Sequence, residues 1–252
     1  MVIDALKEKL EKGEKIFSSV LAEAKMTQLP AIYKGAGLDF LVMDLEHGMF
    51  YPENIGEFVQ MCNIVGLPVI VRVQDCEYHC ISKPLDMGAD GVLIPRTETM
   101  KQVETAIDSM RFYPYGKKGV GGRALMRAGE DVYDFNKNRL LFLQIESKAG
   151  TDLLDEILTK HGEQVAGIII GPYDMAVSMG CGFDLTCDAM VENIRKTIAV
   201  CKKHSKSIGM FMNDDVIAER WHKEGMNIFW ISSELYLISA ELKRLRQRID
   251  EF

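Results

Sequence analysis

Eight short apolar, β-branched runs, each followed by a segment of helical period, constrain the fold of this chain more than any other feature. The runs are Lys15 to Leu21, Leu38 to Met43 (LDFLVM), Pro68 to Arg72 (PVIVR), Gly91 to Ile94 (GVLI), Leu140 to Ile145, Val165 to Ile170 (VAGIII), Ser207 to Met212 (SIGMFM) and Asn227 to Ser232 (NIFWIS). Helix-like stretches lie between them, at Glu53 to Val65, Tyr78 to Met87, Met100 to Met110, Asp152 to His161, Ala189 to His204 and Val216 to Glu224. Strands apolar on both faces belong to a parallel sheet covered by helices, and eight strand-helix units close into a barrel. An open doubly wound sheet would normally carry a glycine-rich fingerprint after its first strand, and the segment after Leu21 (AEAKMTQLP) has no glycine. The expectation is an α/β fold, a (β/α)8 TIM barrel. With 252 residues, 47% of them hydrophobic, one domain over 1–252 suffices.

The charge balance narrows the partners. A net charge of −7 and a pI near 5.4 give no footprint for nucleic acid or an acidic membrane surface, so small molecules and further protein subunits are expected. The first residues, MVIDALKEKLEKGEK, are charged throughout and lack the apolar core of a signal peptide. No stretch approaches the roughly 18 apolar residues of a membrane span. A cytoplasmic protein follows, in which the six cysteines (Cys62, Cys76, Cys80, Cys181, Cys187, Cys201) are expected to be reduced. Cys76, His79 and Cys80 are spaced for a metal, yet no second ligand pair follows, and ordinary thiols are the simpler reading.

In a barrel the chemistry sits where strands end. The second run is followed by Asp44, Leu45, Glu46 and His47; the third ends in Arg72, with Asp75 soon after. The fifth ends in Gln144, Ile145, Glu146, the sixth leads into Gly171, Pro172, Tyr173, Asp174, the seventh into Asn213 and Asp214, and the eighth into Ser232 and Ser233. Alternation puts Gln144 and Glu146 on one face, with the carboxylate closing an otherwise apolar run. A charge there is costly unless compensated, and a metal ion is one compensating partner. Each residue taken singly also has a structural reading: a strand cap for Glu146, an ion pair for Arg72, packing for His47, a helix N-cap for Asp174. Unrelated structural roles would rarely gather His, Arg, Glu and Asp at the same end of four strands. Two carboxylates suit a hard divalent cation that leaves positions open for water and substrate. An α-keto acid can chelate such a cation, which would stabilise its enolate. Arg72 would then hold oxyanion charge, and His47, oriented by Asp44 or Glu46, would move protons.

The ordered set DLEH (Asp44 to His47), VIVR (Val69 to Arg72), PLDMGADGVLIP (Pro84 to Pro95), FYPYGKKGVGG (Phe112 to Gly122), QIE (Gln144 to Glu146) and GPYDMAVSMG (Gly171 to Gly180) resembles the HpcH/HpaI aldolase family of metal-dependent (class II) pyruvate aldolases. The likeness runs from about residue 15 to about residue 245. It implies a TIM barrel of the phosphoenolpyruvate/pyruvate type, with Glu146 and Asp174 binding Mg2+, Mn2+ or Co2+. It further implies that Arg72 and Gln144 contact pyruvate or its oxyanion, and that the backbone of Gly171 and Pro172 beside Tyr173 holds the pyruvate carboxylate. His47 would be the acid/base group with Asp44 behind it, and Asp86 would support the site from a neighbouring subunit or the loop below. The chain departs from the family at Leu45, where Gly is usual, at Tyr173, where a small residue is common, and at Met175, where Leu is usual. Leu45 and Tyr173 are therefore expected to narrow the aldehyde side of the pocket. The loop carrying Lys117, Lys118, Arg123 and Arg127 is either a basic surface loop or a receiver for a distal carboxylate or phosphate, with Arg123 the preferred contact.

The resemblance implies a lyase that cleaves a 4-hydroxy-2-oxo acid to pyruvate and an aldehyde. Oxaloacetate decarboxylation, a CoA-thioester lyase and a non-catalytic keto-acid-binding barrel are the alternatives. A Schiff base at Lys148 is disfavoured because Ala149-Gly150 ends the strand. From Glu234 to Ile249, apolar residues recur at Leu235, Ile238, Leu242, Leu245 and Ile249. This is a helix with one packing face, directed at its own barrel or, as the resemblance implies, exchanged with a neighbour in a hexamer built as a trimer of dimers.

Overall fold

The computed structural model describes residues 2–121, 126 and 129–252. Its strands are β1 (Ile16–Leu21), β2 (Phe40–Asp44), β3 (Val69–Arg72), β4 (Gly91–Ile94), β5 (Leu140–Ile145), β6 (Gly167–Ile170), β7 (Ser207–Met212) and β8 (Ile228–Ser233). They are all parallel and close into a barrel in sequence order, with β8 paired back to β1. Every expected run forms one strand. The largest displacement is at the starts of β2 and β6, where Leu38 and Val165 remain in the preceding loops.

The helices are α1 (Val2–Lys12), α2 (Leu29–Gly35), α3 (Ile55–Val65), α4 (Tyr78–Asp86), α5 (Met100–Met110), α6 (Val132–Asn138), α7 (Lys148–His161), α8 (Pro172–Ser178), α9 (Asp188–Lys203), α10 (Asp215–Glu224) and α11 (Glu234–Asp250). The start of α5 shows how local chemistry sets a boundary. Thr99 accepts from the Gln102 N–H, and the Gln102 side chain accepts from the Thr99 N–H, so both ends of the first turn are satisfied.

Strand alternation sorts the core into two parts. Outward residues such as Leu41, Met43, Val69, Val71, Ile168 and Ile170 pack beneath the helices, whereas Phe40, Val42, Ile70, Leu93, Phe142 and Trp230 fill the barrel interior. Phe40 and Phe142 stack there with centroids 5.6 Å apart, and Gly167 leaves them room: a Cβ at that position would fall 2.9 Å from the Phe142 ring. Helix α1 plugs the N-terminal end of the barrel. Its Ile3, Leu6 and Leu10, one helical face, join the interior cluster. At about 1.5–3 kcal/mol for each large apolar side chain buried, this plug is a substantial part of the stability. Charged residues surrounding these three hide the helix from a reading of the sequence.

One expectation is corrected here. Cys181 and Cys187 form a disulfide, with Cα atoms 6.4 Å apart, whereas reduced thiols were expected from the inferred compartment; Gly180 and Gly182, both at positive φ, turn the chain so that the two sulfurs meet. The other four cysteines are free. The apolar stripe of α11 also leaves its own barrel uncovered: Leu235, Ile238, Leu242, Leu245 and Ile249 are all exposed, and Glu234 is the buried residue of that helix. Among the described residues, no helix is long and apolar enough to cross a membrane.

Candidate active site

Alternation that puts Phe40, Ile70 and Phe142 inside the barrel also puts Asp44, Arg72 and Gln144 inside at the C-terminal ends of their strands. Asp44 and Arg72 lie side by side in register. Arg72 Nε donates to Asp44 Oδ1 at 2.8 Å and Nη2 to Oδ2 at 2.5 Å, a bidentate pair. Asp44 Oδ1 also accepts the backbone N–H groups of Glu46 and His47 at 3.0 and 3.3 Å, so one carboxylate fixes both the guanidinium and the turn that carries His47. Burial alone would lower the Arg72 pKa, but Asp44, Glu46 and Glu146 together raise it, and the group stays cationic. The guanidinium lies 5.6 Å from the centre of the Trp230 ring.

Glu146 is the second anchor. Its Oε1 accepts the Arg96 N–H at 2.6 Å and its Oε2 accepts Gln144 Nε2 at 2.6 Å. Arg96 reaches this position with a φ of 46°, a left-handed backbone that a non-glycine residue adopts at some cost. Gly171 leaves space on the other side, since a Cβ there would lie 2.1 Å from Glu146 Oε2. Burial pushes the Glu146 carboxyl up to about 7, with Glu46 and Asp174 adding to the rise. Burial also raises Glu46, against Arg72 and Arg96, whose nitrogens stand 3.3 Å from its two oxygens.

Two buried acceptors here, Glu46 Oε2 and Gln144 Oε1, have no hydrogen-bond partner; the contact of Arg72 with Glu46 Oε2 is an ion pair without hydrogen-bond geometry. Two carboxyls raised chiefly by burial, and acceptor oxygens without donors among the described residues, form an environment that a divalent cation would neutralise. Glu146 and Asp174 fit that role. Among the described residues no group of three or more His, Cys, Asp or Glu is already drawn into a metal-ligating arrangement.

Asp44, His47, Arg72, Gln144, Gly171, Pro172, Tyr173 and Asp174 line one cavity of about 270 Å3 at the strand ends, with Glu146 against Gln144 and Gly171 at its edge. His47 is 65% exposed at the mouth, its Nε2 3.9 Å from Glu46 Oε2. Asp174 stands in the first turn of α8, whose N-cap is Gly171, so it does not cap the helix itself. Leu45 lies elsewhere. With Asp44 inward, alternation turns Leu45 outward into the core beneath the helices, and its bulk does not shape the cavity. Asp86 ends α4 outside the barrel, where Lys118 Nζ meets its Oδ1 at 2.5 Å. Arg123 lies outside the described residues. Lys148 is on α7, exposed and paired with Asp152 at 2.5 Å, away from the pocket. Cys76 Sγ donates to the Gln102 carbonyl and Cys80 Sγ stands 3.5 Å from His79 Nε2, thiol contacts that do not amount to a zinc centre.

Arg96, Glu234, Phe211 and Trp230 have no assigned role in the sequence, and Glu46 has a lesser one. Arg96 follows the fourth strand, whose end offered no acid to attract notice, and its role lies in a backbone N–H. Glu46 figured there only as an orienter of His47. Glu234 accepts N–H groups of Ala22, Glu23 and Ala24 at 2.5 to 3.1 Å, tying the rim after β1 to α11. Tyr173, Phe211 and Trp230 form an aromatic wall, with Tyr173 and Phe211 centroids 6.5 Å apart and Phe211 and Trp230 5.6 Å apart; of these, only Tyr173 had been singled out.

The elevated Glu146 carboxyl has a signed consequence. The metal-free folded protein holds this proton more tightly than the unfolded chain, so stability falls as pH rises from about 4.5 to about 7, by on the order of 3 kcal/mol. Affinity for a divalent cation, which requires the carboxylate, rises over the same window. Thermal melting of chelated protein at pH 5.5 and pH 8, beside Mn2+ titrations at both, measures the two effects; equal metal affinity at both pH values contradicts the assignment.

A barrel with an acid-rich, arginine-anchored pocket at its strand ends defines an enzyme of the TIM-barrel class. The sequence profile of the HpcH/HpaI aldolase/citrate lyase family matches residues 18–239. A hydroxypyruvate/pyruvate aldolase of Roseovarius nubinhibens is 31% identical over 215 residues, 83% of this chain and 82% of that protein. A 5-keto-4-deoxy-D-glucarate aldolase of Salmonella paratyphi C is 31% identical over 217 residues, 83% of each. The crystal structure of an HpcH/HpaI aldolase from Desulfitobacterium hafniense superposes with a TM-score of 0.89 at 23% identity, covering 98% of this chain and 97% of that one. The chain belongs to the HpcH/HpaI aldolase/citrate lyase family, and its chemistry is that of a carbon–carbon lyase.

Proposed function

We propose that this enzyme is a divalent-metal-dependent aldolase that cleaves a 4-hydroxy-2-oxo acid to pyruvate and an aldehyde. The observation that carries this reading is the buried Glu146 carboxylate at the strand ends, held by the Arg96 N–H and Gln144 beside acceptor oxygens without donors among the described residues. Glu146 and Asp174 would hold the cation, of the Mg2+, Mn2+ or Co2+ kind that the family resemblance implies. Bound there, the cation supplies Lewis acidity to the 2-oxo group, stabilising the enolate that cleavage leaves behind.

The chain's own residues do the rest. The backbone N–H of Tyr173, in the first turn of α8 at the wall of the cavity beside Gly171 and Pro172, receives the carboxylate of the oxo acid. Arg72 donates to the oxygen on which negative charge develops, and Gln144 positions the same end of the substrate. His47 at the mouth accepts the proton of the 4-hydroxyl. The C3–C4 bond then breaks, its electron pair stays with C3, C4 leaves as the aldehyde carbon, and C3 is protonated to give pyruvate. Asp44 holds Arg72 and the turn of His47 in place and is a positioning residue. A lactate dehydrogenase-coupled assay over a panel of 4-hydroxy-2-oxo acids tests the proposal. Pyruvate release that stops with chelator and returns with Mg2+ or Mn2+ is expected; release from oxaloacetate alone would instead assign a decarboxylase.

The exposed apolar stripe of α11 supports a homo-oligomer, in which that helix would pack on a neighbouring barrel. A trimer of dimers is the assembly that the family resemblance implies, and in it Asp86, outside its own barrel, would support the pocket of a neighbouring subunit. Size-exclusion chromatography with light scattering is expected to give a multiple of the 28.4 kDa chain, and a monomer at micromolar concentration would refute the exchange.

A further inference from the structure

The opposite end of the barrel holds a second cavity, of about 290 Å3, where β5, β6 and β7 begin beside α1. Five cationic side chains line it: Lys7, Arg111, Lys137, Arg139 and Lys206. Arg139 is neutralised by Glu130, with two bonds of 3.0 and 2.9 Å between nearly inaccessible groups. For the other four, no carboxylate lies within ion-pair distance among the described residues. Lys7 Nζ donates to the Lys137 carbonyl at 3.2 Å, and Lys206 Nζ to the Val165 carbonyl at 3.0 Å.

Arg111 is the unusual member. It is 5% exposed, and its guanidinium is fixed by neutral acceptors: Nη1 by the carbonyls of Asn136 and Arg139, Nε by Gln164 Oε1 at 3.2 Å. Its Nη2 has no hydrogen-bond partner among the described residues. A buried guanidinium normally has a carboxylate, because removing it from water is otherwise uncompensated. Burial and the neighbouring Arg139 lower its pKa to about 10; burial lowers Lys7 and Lys206 as well, with Lys137 adding to the effect on Lys7. Glu11 and Glu163 also line the cavity, leaving four unpaired cations against two carboxylates.

We propose that this cavity binds a phosphate-sized oxyanion, either inorganic phosphate or the phosphate group of a small metabolite, with Arg111 at its base and Lys7, Lys137 and Lys206 around it. A tetrahedral oxyanion accepts from several donors at once and supplies the charge that the cluster lacks. Because Lys7 belongs to α1, Arg111 and Lys137 to the ends of α5 and α6 and Lys206 to the turn before β7, the ligand would fasten the plug helix to the elements around that end of the barrel. The site lies at the other end of the barrel from Arg72 and Glu146, so occupancy does not compete with substrate.

The test uses the chelator-treated 252-residue chain in a phosphate-free buffer, with inorganic phosphate, glycerol 3-phosphate or chloride added at constant ionic strength. Calorimetry is expected to give a Kd of about 1 mM or tighter for at least one of the phosphates, with a rise in Tm that chloride does not reproduce. The tighter of the two names the source of the phosphate group. The double variant Lys7→Met/Lys206→Met, at partly exposed positions, is expected to fold and to bind about tenfold more weakly or worse. The double variant Arg72→Met/Asp44→Asn, which leaves no stranded carboxylate at the other end of the barrel, is expected to bind phosphate as the natural protein does. No binding, unchanged binding in the double lysine variant, or binding lost in a folded Arg72→Met/Asp44→Asn overturns the proposal.

Discussion

Replacing Glu146 with Gln is expected to lower kcat/KM by roughly a thousandfold, about 4 kcal/mol, while making the metal-free protein more stable at pH 8. Both effects have one origin. The carboxylate is held at a cost in the folded protein, its pKa lifted to about 7 chiefly by burial, and at pH 8 that cost is on the order of 3 kcal/mol. A neutral amide of the same shape escapes it, yet can no longer serve as an anionic ligand. Thermal melting of chelated protein and pyruvate-release kinetics with saturating Mn2+ measure the two quantities side by side. A variant that loses stability and keeps activity would show that Glu146 is a structural cap.

Arg72→Met is expected to be nearly as damaging, by a different route. Removing the donor to the developing oxyanion costs about 100- to 1,000-fold in kcat. It also strands Asp44, which is buried and receives two hydrogen bonds from the guanidinium, and breaking such a pair costs about 3–5 kcal/mol of stability. The double variant Arg72→Met/Asp44→Asn removes the stranded charge. It is expected to regain much of the stability and little of the activity, which separates the guanidinium's chemistry from its structural role. If the double variant recovers both, Arg72 acts only by holding Asp44.

The barrel was legible because its strands are apolar on both faces and short, and because glycines and helical periods punctuate them; β5 was recognisable in LLFLQI before any partner was known. The same alternation that put Gln144 and Glu146 together also turns Leu45 outward, so the expectation that Leu45 narrows the pocket failed for a reason already present in the sequence. Helix α1 was hidden because its three buried residues sit in a run dominated by Lys and Glu. Arg96 was hidden more deeply. Its task is done by a backbone N–H in a left-handed conformation, and no side-chain pattern announces a positive φ at a residue other than glycine. The exposed stripe of α11 was visible as periodicity, but a stripe does not say what covers it, and here the barrel that carries it does not.

On the proposed function, Glu146, Asp174 and Arg72 make pyruvate enolise on this protein, whichever aldehyde it is joined to. Proton NMR of pyruvate in D2O follows the loss of the methyl signal and needs no knowledge of the natural substrate. With Mn2+ or Mg2+ removed before detection, exchange is expected to be catalysed by the metal-loaded protein, abolished by chelator and nearly absent in Glu146→Gln. Exchange at the solvent rate with metal-loaded protein, or catalysed exchange indifferent to chelator, would contradict it.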